Sequence, residues 1–357
     1  MKIIVDKIPA DTPPEAHLYL VGNFNRWQPG VPVYRLQPQP DGTYEVTVPF
    51  MNRPVEFKVT RGTWETVEAA EDGSDRPNRK IKLPFPPKVM VQVANWTDLV
   101  TRPPRKHTAS PQVQVLDSAF EMPELGRTRR IWLYLPIDYA TSKKRYPVLY
   151  LHDGQNLFDA YYSFSGEWGI DETLDEMAQT GGPEVIVVGI EHGGEERLNE
   201  LTPYKNPAYG GGDGKKYLQF IVQDLKPYID EHFRTQPEAE HTGIGGSSLG
   251  GLISLYAAAH YPHVFGKAMI LSPSLWFSDK IFNIAKKDFK NTRLVLLAGE
   301  QEGEEMIPRM RKLFEHLIAH GFPEDQIWYQ TRPDGNHSEW FWRREFPEAF
   351  KWLYAKK

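Results

Sequence analysis

The sequence predicts two domains: a small all-β sandwich, then an α/β domain whose mainly parallel sheet carries helices on both faces. Three observations lead there. The chain has 357 residues, which suits two domains of ordinary size. Residues 1–104 break into short runs rich in Val, Ile, Tyr, Phe and Thr, separated by Pro, Gly, Asn and Asp. Beyond them, near-continuous apolar runs alternate with helical stretches, the grammar of right-handed β-α-β units.

In the first part the expected strands are His17–Phe24, Thr43–Phe50, Val55–Arg61 and Lys88–Trp96, and Tyr44-Glu45-Val46-Thr47-Val48 alternates as a half-buried strand does. The charged, proline-bearing stretch Thr101-Arg102-Pro103-Pro104-Arg105-Lys106 marks a boundary, with residues 105–112 as linker and 113–357 as the α/β domain. There Gln112–Leu116 and Arg129–Leu135 open the sheet. Val148–Leu151, Val185–Ile190, Ala268–Leu271 and Arg293–Ala298 are apolar enough to be strands covered on both faces. Helices are expected over Tyr217–Phe233, Leu249–His260, Glu304–His320 and Glu345–Tyr354.

Composition excludes several functions. Lys and Arg number 42 against 47 Asp and Glu, with no long run of one sign, which argues against a nucleic-acid partner. Without cysteine there is no disulfide, thiolate metal site or Cys nucleophile. No uninterrupted apolar run reaches the ~18 residues of a membrane span. The apolar run in Met1-Lys2-Ile3-Ile4-Val5-Asp6 is too short for a signal peptide, so the expected location is cytoplasmic, or exported if a signal lies outside this chain. No H-E-x-x-H or paired-His spacing occurs, so neither a catalytic metal nor a cofactor is expected. Gly210-Gly211-Gly212-Asp213-Gly214-Lys215-Lys216 lacks the spacing of a P-loop and reads as a flexible loop near a site mouth, and Asp72-Gly73-Ser74-Asp75 reads as a solvated turn.

The segment that carries chemistry is Gly246-Ser247-Ser248-Leu249-Gly250, a G-x-S-x-G string. A short run, His241–Gly245, enters it as a strand and Leu249–His260 leaves it as a helix, the strand–turn–helix context of a nucleophile elbow. The turn forces Ser248 into strained angles, and small flanking residues let strand and helix approach. A serine needs a base, and in this chain order the base lies near the C-terminus. His260, His263, His316 and His320 fall on or beside helices, whereas His337 sits in a loop before the last helix. The orienting acid belongs after the strand Arg293–Ala298, where Glu300, Glu302, Glu304 and Glu305 compete and spacing alone does not choose. Oxyanion donors are expected from the backbone N–H groups of Leu249 and Gln155. Trp276, Trp340 and Trp342 flank these loops and could wall an aromatic acyl pocket.

The block Tyr146-Pro147-Val148-Leu149-Tyr150-Leu151-His152-Asp153-Gly154-Gln155-Asn156, the segment Gly166-Glu167-Trp168-Gly169-Ile170-Asp171, the elbow and Gly335-Asn336-His337 together resemble the putative esterase family, which includes esterase D, enterochelin-type siderophore esterases, feruloyl and acetyl-xylan esterases and mycolyltransferases. The resemblance covers residues 113–357 and implies an α/β-hydrolase fold, Ser248 as nucleophile and His337 as base. Its Gly-x-x-Asp or Gly-x-x-Glu pattern falls on Gly299-Glu300-Gln301-Glu302, which favours Glu302 as the acid. The N-terminal part resembles starch- and glycogen-binding β-sandwiches through Leu20–Trp27, Glu56–Glu65 and Arg76–Arg79. That likeness implies sugar contacts at Trp27, Lys58 and Asn78. The tryptophan expected just before Pro77 is missing, and Trp64 comes early in the chain to replace it.

The expected function is hydrolysis of carboxylic esters through an acyl-enzyme. Carbohydrate-linked feruloyl or acetyl esters rank first, and siderophore trilactones are the alternative. A rival of another class is a glycan-binding protein with a relic hydrolase domain. The sequence is silent on oligomeric state.

Overall fold

The computed structural model describes residues 1–25, 27–52, 54–74, 76–100, 106–163, 166–286, 289 and 291–355. The chain divides into two compact units, Met1–Arg105 and Lys106–Lys357. Residues 101–105, on which much of the linker reading rests, lie outside the described residues.

Among the described residues the first unit has nine short strands: β1 (Lys2–Lys7), β2 (Tyr19–Gly22), β3 (Gln37–Pro38), β4 (Tyr44–Thr47), β5 (Val55–Thr60), β6 (Glu68–Ala69), β7 (Arg79–Ile81), β8 (Lys88–Gln92) and β9 (Asn95–Trp96). They form sheets β3-β4-β1-β8, β2-β5-β7 and β6-β9 around Ile3, Val5, Leu20, Phe57, Val59 and Trp96. The stretch expected as one strand over Lys88–Trp96 is two, because the chain leaves β1 after Gln92 and pairs with β6 from Asn95.

The second unit holds one eight-stranded sheet, made of β10 (Val113–Met122), β11 (Arg127–Tyr134), β12 (Val148–His152), β13 (Ile186–Ile190), β14 (Thr242–Ser247), β15 (Lys267–Leu271), β16 (Arg293–Gly299) and β17 (Ile327–Arg332). Its order is β10-β11-β13-β12-β14-β15-β16-β17, antiparallel through the first three strands and parallel from β13 onward. Helices α1 (Ile170–Gln179), α2 (Arg197–Glu200), α3 (Gly214–Phe220), α4 (Lys226–His232), α5 (Leu249–His260), α6 (Met306–Ala319) and α7 (Glu339–Tyr354) accompany it. Two apolar clusters form the core, one against each face of this sheet. Eleven of the twelve residues of α5 are buried, as its sequence LGGLISLYAAAH, apolar on every side, requires.

Two helical stretches differ from expectation for physical reasons. The stretch Tyr217–Phe233 is interrupted by a π-helical turn over Ile221–Leu225, just before Pro227, whose ring and missing N–H disturb a regular ladder. Helix α7 begins at Glu339 rather than Glu345, because Phe341 and Trp342 are buried helix residues and not loop aromatics. Helix α1 has no counterpart in the sequence reading. Among the described residues no helix is long and apolar enough to cross a membrane.

Candidate active site

Three residues at the carboxyl ends of neighbouring strands carry positive φ without being glycine: Asp153 (58°) after β12, Ser248 (57°) after β14 and Ser272 (45°) after β15. Such angles cost of order 1–3 kcal/mol each and persist where surrounding structure enforces them. At Ser248 the enforcement is visible. A Cβ on Gly246 would lie 3.2 Å from the Gly250 backbone, and one on Gly250 would lie 3.2 Å from the His152 side chain, so a side chain at either position would force its neighbours to shift. The Ser248 N–H donates to Leu271 O at 3.0 Å, and the Ser274 N–H donates to Ser248 O at 3.0 Å.

His337 lies in the turn between β17 and α7, with Nδ1 2.7 Å from Glu302 Oε2. The Glu302 side chain is fully buried. Its Oε1 accepts from the Ser272 hydroxyl at 2.7 Å and from the Gly299 N–H at 2.6 Å. The other carboxylates of that loop face elsewhere: Glu300 accepts from the Thr331 hydroxyl at 2.7 Å, Glu305 pairs with Arg309 at 2.8 Å, and Glu304 is exposed. The loop can close on His337 because Gly299 and Gly335 meet backbone to backbone; a Cβ on Gly299 would fall 2.2 Å from the Gly335 carbonyl. The Ser248 hydroxyl is turned toward Ser274, Oγ to Oγ 3.3 Å, and makes no hydrogen bond to His337. The remaining helix histidines are occupied locally: His260, His316 and His320 each place Nδ1 within 2.9 Å of a carbonyl four residues back.

Leu249 opens α5, where backbone N–H groups have no intrahelical acceptor, and Gln155 lies in the short 3-10 turn Gly154–Asn156 after β12. That turn is fixed from below. Asp153 is held by Arg197 of α2 through two parallel bonds, Nε to Oδ1 at 2.6 Å and Nη2 to Oδ2 at 2.8 Å. Burial alone would push the Asp153 carboxyl up, but the guanidinium holds it below its ordinary value. Arg197 is anchored in turn, since Glu200 on the same helix is buried between Arg127 at 2.8 Å and Arg129 at 2.7 Å. Gln155 Oε1 accepts from the His192 N–H at 3.3 Å. Next to the turn, His152 is buried against the Tyr217 hydroxyl at 2.8 Å, and burial pulls its pKa down to about 4, so it stays neutral.

Residues 122–353 match the profile of the putative esterase family. The chain belongs to that family. The family is one of carboxylic-ester hydrolases. This esterase is 31% identical over 243 residues to uncharacterized protein YbbA of Bacillus subtilis (strain 168), covering 64% of this chain and 93% of YbbA. The structure superimposes on the enterobactin esterase of Shigella flexneri solved with enterobactin at a TM-score of 0.58 and 17% identity, over 94% of this chain and 87% of that one. It matches a ferulic acid esterase at 0.54 and 18% identity, over 68% and 98%. Several curated relatives are longer proteins, of which the chain spans between 6% and 56%.

Among the esterase's aromatics, Trp276 and Trp340 are 44% and 47% exposed, and Tyr209 packs edge-on against Trp276 at 5.4 Å. Trp342 is buried, stacked edge-on to His337 at 5.0 Å, so it walls no pocket. The glycine-rich stretch is tied down rather than loose: the Gly211 N–H donates to Asn199 at 3.1 Å and the Gly212 N–H to Thr202 at 3.0 Å. Among the described residues one group has metal-ligand spacing, Glu167, Asp171 and Glu172, with oxygens within 4.8 Å. Burial and then Glu172 push Asp171 up to about 7. Ser110, read as linker, donates its N–H to Asp171 at 2.6 Å, and Thr108 bonds Glu167.

In the first unit Trp27 and Trp64, distant in sequence, stack with ring centroids 6.4 Å apart. Lys58 is buried within β5 and Asn78 is exposed before β7. Sequence reasoning missed Ser272, Ser274, Asp153 and Arg197 as site residues. The signal available was position, since the first two follow β15, the strand beside the elbow strand, and Asp153 adjoins the predicted oxyanion turn.

Proposed function

We propose that Ser248 is the nucleophile of a serine esterase, with His337 as base, Glu302 as its orienting acid, and the N–H groups of Gln155 and Leu249 as the oxyanion hole. The reading is carried by one observation: a buried carboxylate 2.7 Å from His337 Nδ1, at the same end of the sheet as a strained serine in a G-x-S-x-G turn. With Nδ1 bonded to Glu302, the imidazole presents Nε2 as acceptor. On this reading the Ser248 hydroxyl leaves Ser274 for Nε2 in the substrate complex, a tightening that commonly awaits substrate. Ser248 Oγ then attacks the ester carbonyl and its proton passes to His337. The tetrahedral oxyanion collapses, His337 protonates the leaving alcohol, and water releases the acid by the same steps.

Carbohydrate-linked feruloyl or acetyl esters rank first. Exposed Trp276 and Trp340 offer flat surfaces to an aromatic acyl group. A catecholate siderophore would call for uncommitted cations; Arg197 is taken by Asp153 and Lys216 lies 3.5 Å from Asp213, which leaves the exposed Lys205 and Lys215 to meet it. The paired faces of Trp27 and Trp64 favour a second reading for the first unit, glycan binding that brings the enzyme to its polymer.

The test is burst release of p-nitrophenol from p-nitrophenyl acetate. One equivalent per chain is expected, abolished in Ser248→Ala, and a retained burst in that variant would refute the nucleophile. Turnover compared on methyl ferulate, acetylated xylan and enterobactin then ranks substrates. Enterobactin leading would overturn the order given, and no burst with measurable polysaccharide binding would leave the relic reading standing.

A further inference from the structure

We propose that Ser272 and Trp342 are positioning residues that aim the Glu302–His337 pair. The proposal rests on the catalytic reading above. The four side chains close a ring: Trp342 Nε1–H donates to Ser272 Oγ at 2.9 Å, Ser272 Oγ–H donates to Glu302 Oε1 at 2.7 Å, Glu302 Oε2 meets His337 Nδ1 at 2.7 Å, and the His337 ring stands edge-on to Trp342 at 5.0 Å.

The direction of each bond follows from the groups. An indole N–H only donates, so it takes the acceptor side of the Ser272 oxygen, and the single hydroxyl proton is left for Glu302. With the Gly299 N–H also on Oε1 at 2.6 Å, that oxygen is committed twice and the carboxylate cannot swing. Its second oxygen has one place to go, His337. The indole meanwhile fixes the tilt of the imidazole, and Trp342 is itself packed at a tilt against Trp168, ring centroids 5.8 Å apart.

The backbone supplies an independent argument. Ser272 sits at φ 45°, where glycine is unstrained and serine is not, and it is fully buried. Glycine would relax that turn but would leave the indole N–H without an acceptor and Glu302 Oε1 with one donor fewer. The hydroxyl is what the strain retains.

The experiment measures kcat and KM for p-nitrophenyl acetate from pH 5 to 9 in Ser272→Gly, Ser272→Ala and Trp342→Phe, with rates expressed per active site titrated by a fluorophosphonate. A loss of about 10- to 100-fold in kcat is expected for both Ser272 variants, with KM little changed. The acid limb is expected to move up by about one pH unit, because a carboxylate stripped of a donor holds the protonated imidazole more tightly. Trp342→Phe keeps a ring but frees the hydroxyl, and a smaller loss with a shift of the same sign is expected. A purely structural role predicts the reverse for glycine: higher thermal stability, unchanged kcat and an unmoved profile, and that result would overturn the proposal. Ser248→Ala separates the two levels. If it is inactive while Ser272→Gly and Trp342→Phe behave as wild type, only the positioning claim falls; if it keeps activity, the catalytic reading falls first.

Discussion

The two units hold their candidate functional side chains by opposite means. In the esterase unit the two buried carboxylates of the candidate site are each constrained by further groups, Glu302 by Ser272 and Gly299, and Asp153 by Arg197. In the first unit the Trp27–Trp64 pair is partly exposed, with the neighbouring strands only two to six residues long. Catalysis needs charge held within fractions of an ångström of a developing transition state, whereas stacking on a flat ligand tolerates adjustment. The contrast predicts a graded response of turnover to mutation, steep around Glu302, shallower at Arg197 and flat at the tryptophan pair.

The steepest effect is expected for Glu302→Gln. The amide is nearly isosteric, but it cannot accept at both oxygens while stabilising an imidazolium, and one end would face the Gly299 N–H or His337 Nδ1 with the wrong polarity. A loss in kcat of order 10³–10⁴-fold is expected, with KM little altered. Steady-state kinetics on p-nitrophenyl acetate decide it, and the equivalent change at Glu300 serves as the control, expected to stay near wild type because that carboxylate bonds Thr331.

Arg197→Met comes next. The variant leaves Asp153 buried without its partner, in a turn whose φ of 58° depends on being held. The proposed oxyanion donor one bend away at Gln155 would lose its aim, so kcat is expected to fall by about 10- to 100-fold. Affinity for a trifluoromethyl ketone transition-state analogue is expected to fall in parallel, while KM holds. Lysine at this position cannot reproduce the two-pronged bond and is expected to fall between. If analogue affinity and kcat separate, the oxyanion turn does not depend on α2.

How far the sequence carried this picture differs by interaction type. The parallel strands were legible because burial on both faces writes itself as an unbroken apolar run, as in Val148–Leu151. The elbow was legible because Gly246 and Gly250 must be small at fixed spacing. Glu302 was distinguishable from its three neighbours only by family likeness, since which carboxylate faces inward is decided by the meeting of Gly299 with Gly335, 36 residues apart in the chain. Ser272 left no local trace, because its partners come from α7 and the loop after β16. Helix α1 was missed since its apolar face is interrupted by Asp171, a buried carboxyl that local pattern reads as solvent-facing. The tryptophan pair was missed for a related reason, as Trp27 and Trp64 converge only when β2 pairs with β5.

That pair supplies the mildest expectation for turnover. Trp27, a bulky residue, adopts φ 57°, an angle that a ring of its size rarely takes without a reason. On the glycan reading, its ring beside Trp64 would offer a sugar a surface to stack on. Trp27→Ala and Trp64→Ala are each expected to weaken retention in affinity electrophoresis through soluble starch by about tenfold. Turnover of p-nitrophenyl acetate is expected to stay within about twofold of wild type, since surface substitutions away from special features cost little. Unchanged retention would make the platform a structural stack and end the glycan reading. Lost turnover on this small ester would show that the first unit steadies the second, and the division of labour between constrained and adaptable sites would have to be withdrawn.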